Sequence, residues 1–169
     1  MEQELLDIVN QKDEVIGKDT KENKFRKNLI SRNVAIFILG DNKKLLITKR
    51  SSQKESFPNR YDLAACGNVK AGESYEDTAK REVMEELGIY CDLKFLGKIF
   101  NEFKEDEKKI KYFTGIFQGR FSGKVKLSDE LVELKRLSIE EVGELINKNK
   151  NLFTPGFIND FLFAKDKLK

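Results

Sequence analysis

GNVKAGESYEDTAKREVMEELGI, residues 67–89, joins a glycine-bearing loop to a helix carrying more negative charge than a lone helix tolerates. Ser74-Tyr75-Glu76-Asp77 has the form of an N-cap followed by acid in the first turn, a variant of the capping box. Ala79, Val83 and Leu87 recur at helical spacing and make an apolar stripe for docking on a sheet. Gly88 stands where a helix takes a left-handed closing residue. Between these signals, Glu82, Glu85 and Glu86 fall at i, i+3 and i+4 and share an arc of about 100°. Like charges at that spacing cost about 0.2–0.5 kcal/mol each, and the macrodipole disfavours them toward the C-terminus. Tyr90, four residues beyond Glu86, offers no countercharge, and Lys80 projects elsewhere. A divalent cation turns this repulsion into coordination. Gly67 and Gly72 let the loop bend tightly and bring backbone carbonyls near the carboxylates. Hard oxygen ligands suit Mg²⁺ or Mn²⁺, which keep waters and share substrate phosphates, so the stretch points to metal-assisted phosphate chemistry.

The register of Gly67, Glu73, Arg81-Glu82-Val83, Glu85-Glu86 and Gly88-Ile89 resembles the Nudix box at every position. The resemblance implies an α+β fold, an α/β/α sandwich around a mixed sheet, and hydrolysis of a diphosphate. It implies that Glu82, Glu85 and Glu86 hold Mg²⁺ or Mn²⁺, with the backbone carbonyl of Cys66 as a further ligand. It also implies that Glu73 and Arg81 pair and brace the loop from Gly67 against the helix. Such metals neutralise diphosphate oxygens and acidify a bound water that attacks phosphorus. The base is a box glutamate, Glu85 or Glu86, or an acid from a later loop. Among Asp129, Glu130 and Glu133, Glu130 is favoured.

The rest of the chain fits one domain over residues 1–169. Hydrophobic content of 39% and charge of 36% describe a charge-rich globular protein, and a net charge of +3 is too mild for nucleic-acid binding. No apolar run approaches membrane-spanning length and no signal-peptide pattern opens the chain. With only Cys66 and Cys91, a reducing cytoplasm is expected. Residues 1–30 read as an N-terminal hairpin from Leu5–Val9 and Val15–Gly17, then a brief helix capped by Asp19 or Thr20. Val34–Leu39 is a buried strand, answered by Leu45–Arg50 across the turn at 40–42. Strands at 93–100 and 109–121 flank a charged connector, 102–108, and a further strand follows at 131–137. Ser138 caps a helix with Ile139, Val142 and Leu145 on its apolar face. Thr154-Pro155 opens a last helix docked by Phe157, Phe161 and Leu162.

A second likeness runs through DEVIGK, NVAIFIL, KLLITKRS, FP and LAACGNV, which together resemble the Nudix branch related to isopentenyl diphosphate isomerase. That likeness implies a proton-transfer role for a cysteine before the loop glycine, the place of Cys66. It also implies a histidine-rich metal site, and this chain has no histidine; Ser31, Arg32 and Asn68 stand at those places. Ser and Asn do not replace imidazole as a transition-metal ligand. The expected function is therefore hydrolysis of a small-molecule diphosphate, such as a nucleoside diphosphate linked to another moiety. An isomerase and a non-catalytic diphosphate-binding module are the alternatives. Arg50, Phe57, Arg60 and Tyr61, with Phe103, Lys109 and Tyr112, are the substrate-binding candidates, as aromatics that stack and cations that hold phosphate. Monomer and homodimer both stay open.

Overall fold

The apolar run Val34–Leu39 lies within β3 (Ile30–Leu39), and both of its faces are buried. Its even residues Val34, Ile36 and Ile38 face one core; its odd residues Ala35, Phe37 and Leu39 face another. That is why the strand reads as continuous hydrophobicity rather than alternation. The computed structural model describes residues 3–169.

Along one edge, β3 pairs in parallel with β8 (Lys108–Arg120), from Ser31↔Tyr112 to Leu39↔Arg120. Along its other edge three strands follow one another, all antiparallel: β1 (Leu5–Val9) at the start, β6 (Ala65–Asn68) in the middle and β4 (Leu45–Arg50) at the end. β2 (Val15–Thr20) completes the N-terminal hairpin with β1, and β7 (Leu93–Glu105) lies outside β8. β5 (Tyr61–Asp62) and β9 (Leu131–Leu137) pair with β4. Helix α2 (Tyr75–Leu87) packs Ala79, Val83 and Leu87 on the even face of β3. Helices α3 (Ile139–Lys148) and α4 (Pro155–Ala164) cover the odd face with Val142, Phe157 and Phe161. The result is an α/β/α sandwich around a mixed sheet.

The brief helix α1 (Lys21–Arg26) is capped by Thr20, whose hydroxyl accepts from the Asn23 N–H at 3.2 Å. Two expectations are corrected. The charged segment 102–108 is no loop: β7 and β8 run on through it to a turn at Asp106, whose φ is 52°. Opposite charges face each other across the ladder, with Glu102 and Lys109 at 2.9 Å. Leu162 does not dock α4; it is 54% exposed, because Phe157, Phe161 and Ala164 already fill the stripe that faces the sheet. Among the described residues no helix is long and apolar enough to cross a membrane.

Candidate active site

Where β6 ends and α2 begins, the chain presses a carboxylate onto a backbone. Ser74 caps α2 by accepting the Asp77 N–H at 3.0 Å, and Gly88 closes the helix at φ 64°. This sets the rotation of α2, so that Glu82 points inward beside its apolar stripe and is 8% exposed. Its carboxylate lies against the α-carbon of Gly67, and a Cβ at that position would overlap it. Gly67 is therefore a strand residue of β6 whose missing side chain makes room for Glu82. The expected tight bend at this position is replaced by a close approach. Gly72, at φ 85°, does make the turn.

Arg81 joins the pieces. Its Nε and one terminal nitrogen donate to the two oxygens of Glu73 at 3.0 and 2.9 Å, and the same nitrogen reaches the Asn68 carbonyl at 3.1 Å. The other terminal nitrogen donates to Glu82 at 2.7 Å and Glu85 at 3.2 Å. The acidic arc thus has a cation on its own helix, beyond the Glu73 partnership expected from sequence. Burial pushes the Glu73 carboxyl up, but the hydrogen bonds from Arg81 and Thr78 outweigh it and hold it below the ordinary glutamate value. Glu82 goes the other way. Burial, with Glu85 and Glu86 adding to it, lifts its pKa to about 7 against the opposing pull of Arg81. Glu86 accepts the Ser128 hydroxyl at 2.6 Å.

Glu82, Glu85 and Glu86 line a cavity of about 270 Å³ together with Cys66, Gly67 and Arg81. Lys21, Arg50, Lys54 and Glu130 complete it, with Glu130 paired to Lys54. Arg50 is fixed by two bonds to the Ser56 carbonyl, at 3.1 and 2.8 Å, and by Asp62 at 3.4 Å. Burial pushes the Asp62 carboxyl up, with Arg50 opposing. Burial, then Asp62, pushes the Cys66 thiol well above its usual range, so it stays protonated. An inner cavity of about 220 Å³ shares several of these walls and adds Lys24, Phe57, Phe103 and Tyr112.

The donor set fits a hard divalent ion. Three carboxylates from one helix line the cavity, and the absent side chain of Gly67 gives the buried one, Glu82, its place at the end of β6. Among the described residues no three acidic side chains close into a cage, so water and phosphate oxygens would complete an ion's shell, as is usual for Mg²⁺.

Of the substrate-binding candidates, Arg50, Phe57, Phe103 and Tyr112 line these cavities and Arg60 and Tyr61 do not. The Tyr61 hydroxyl donates to the Glu133 carboxylate, with oxygens at 3.2 and 3.1 Å, and its ring packs on Phe153. The Arg60 guanidinium covers the Phe57 ring, and Lys109 is spent on Glu102. Lys21, Lys24, Lys54 and Asp62 were missed. The two lysines of α1 read as ordinary solvent-facing charge. Asp62, a lone acid running into LAAC, was the one legible signal, since an acid entering a buried strand needs a partner.

The pattern of the NUDIX domain family matches residues 29–158. An uncharacterised Nudix hydrolase of Clostridium acetobutylicum is 30% identical, over 94% of this chain and 82% of its own length. Isopentenyl-diphosphate Delta-isomerase 2 of Photorhabdus laumondii is 28% identical, over 91% of this chain and 88% of its own. Among solved structures, a Deinococcus radiodurans protein superposes with a TM-score of 0.70 at 25% identity, covering 86% of this chain and 90% of that one. Enzymes with this domain generally cleave diphosphates and generally need a divalent metal. Matched over most of its length by the family's pattern and along nearly all of it by a Nudix hydrolase, the chain belongs to the Nudix hydrolase family and is a pyrophosphohydrolase of that kind.

Proposed function

We propose that the chain hydrolyses a small-molecule diphosphate, a nucleoside diphosphate joined to another moiety, with Mg²⁺ or Mn²⁺. The observation that carries this reading is the polarity of one cavity. Glu82, Glu85 and Glu86, all from α2, line it together with Lys21, Arg50 and Lys54, which come from other segments. Acids that would hold a metal and cations that would bind phosphate oxygens, gathered in one cavity, suit a diphosphate.

When bound, the metal supplies charge neutralisation and an acidified water. Glu82, Glu85, Glu86 and the Cys66 carbonyl would hold it, while Arg81 and Glu73 fix the β6–α2 junction from which they project. Arg50 and Lys54 orient the diphosphate. Glu130, exposed at the mouth and paired to Lys54, takes the proton of the attacking water; Glu85 and Glu86 are the other candidates for that task. Two free cysteines support a reducing cytoplasm as the working compartment.

Isomerisation is the second reading, favoured by Cys66 lining both cavities and by the isomerase relative. The test is incubation with Mg²⁺ or Mn²⁺ and a panel of diphosphates, scoring released phosphate compounds against a shifted double bond. Ligand uptake with neither product would mark a pure binding module. Glu86→Gln is expected to lower hydrolysis by about 10²-fold or more while the melting temperature holds. Near-full turnover in that variant would refute the assignment.

A further inference from the structure

Lys24 serves neither the core nor the hydrolysis just proposed. It sits on α1, a short helix of otherwise charged and polar character, yet only 4% of its surface reaches solvent. Its ammonium lies 5.0 Å from the centre of the Phe25 ring and 5.5 Å from that of Tyr112. Among the described residues no carboxylate forms an ion pair with it, although Asp62 and Asp160 line the same cavity. Burial, and after it repulsion from Lys21, brings its pKa down to about 7. One unsatisfied buried atom faces the same space: the side-chain oxygen of Asn33, without a partner, also lines the inner cavity.

Buried charges and buried polar atoms are normally paired, because leaving them bare forfeits their hydration. Here an ammonium held by two ring faces with no ion-pair partner and an amide oxygen with no hydrogen-bond partner share a cavity whose walls Arg50 and Lys54 also belong to, on the side of the diphosphate site. Phe57 and Tyr112 supply flat apolar walls between them. A ligand with an anion at one end and a hydroxyl nearby satisfies both groups at once.

We propose that the inner cavity receives one arm of the substrate, and that Lys24 selects an arm bearing a carboxylate or phosphate, with Asn33 accepting from a hydroxyl on that arm. This rests on the hydrolase reading above. It names Lys24 as a specificity-determining residue, and it defines the substrate class as diphosphates with a third anionic group.

UDP-glucuronate and UDP-glucose test it, since they differ at one carbon by a carboxylate against a hydroxymethyl. Wild type is expected to prefer UDP-glucuronate in kcat/KM by about 10-fold or more, through KM. Lys24→Met should erase the preference and Lys24→Arg should keep part of it. The melting temperature of Lys24→Met should not fall, because the change removes an unpaired buried charge. Where Lys24→Met folds poorly, Lys24→Gln makes the same comparison. A purely structural lysine would lower the melting temperature and leave the preference untouched.

No preference in wild type, or one that survives the substitution, overturns the assignment and leaves the hydrolase reading standing. If no diphosphate of any kind is cleaved, it is the hydrolase reading that fails. In that case, or if only these two sugar nucleotides are refused, metal-free calorimetry with inorganic phosphate and with acetate decides. A rise in Kd of about 10-fold or more in Lys24→Met, absent in the surface control Lys80→Met, upholds the anion seat and shows which anion it takes. Equal Kd values in all three proteins overturn it.

Discussion

Gly67 and Lys24 are the two residues whose surroundings matter most and whose letters say least. A Cβ at 67 overlaps the carboxylate of Glu82, so Gly67→Ala must swing that carboxylate out of its place at the end of β6. The expected effect falls on metal affinity, reduced about 10-fold or more in calorimetry, with about 1 kcal/mol or less lost in urea unfolding. An alanine variant with unchanged metal uptake would show that the buried position of Glu82 is not needed for the ion. The sequence places Gly67 correctly in its motif but suggests a bend as the reason, because glycine signals turns far more often than close approach. Lys24 is invisible to such reading. KENKFR has no apolar periodicity, and only the packing of α1 beside β8 turns this lysine inward.

At the scale of elements, β6, the loop at Glu73 and α2 act as one clasp with Arg81 as its pin. Arg81→Met would release Glu73, Glu82 and Glu85 together and leave Glu82 buried with no cation beside it. We expect a loss of about 1–3 kcal/mol at pH 7, and metal binding about 10–100-fold weaker in calorimetry. If added Mg²⁺ restores stability fully at ordinary concentrations, the pin is dispensable. Element boundaries were legible wherever propensity and burial agree: the caps at Ser74, Ser138 and Thr154, and the strands beginning at Leu45 and Leu131, while the choice between Asp19 and Thr20 was made only by the structure. They were misread at 102–108, where cross-strand charge pairs hold a ladder that composition alone makes look like a loop.

For the whole molecule, the interior on the α4 side is polar in a way that ties stability to pH. Asp160 is 3% exposed and accepts the Asn101 amide at 3.0 Å. Burial lifts its pKa from 3.8 to about 8, with Asn101 opposing and Asp62 adding to the rise. The folded state therefore holds this proton more tightly than the unfolded one. The stability this confers is complete below about pH 4 and is lost as pH climbs through about 8. Asp160→Asn, which keeps an acceptor for Asn101 and cannot ionise, should flatten that decline and gain on the order of a few kcal/mol relative to wild type at pH 9. Urea melts of both proteins at pH 5, 7 and 9 check this; parallel declines would refute it.

The parallel pairing of β3 with β8 has a consequence for how the chain comes into being. During synthesis β3 and the acidic helix leave the ribosome well before the strand that closes the sheet beside them has been made. Until that late partner arrives, one of the most apolar edges in the sequence stands open, so productive folding waits on the second half of the chain. The nascent protein is thus most prone to sticking, and most in need of a chaperone, midway through its translation.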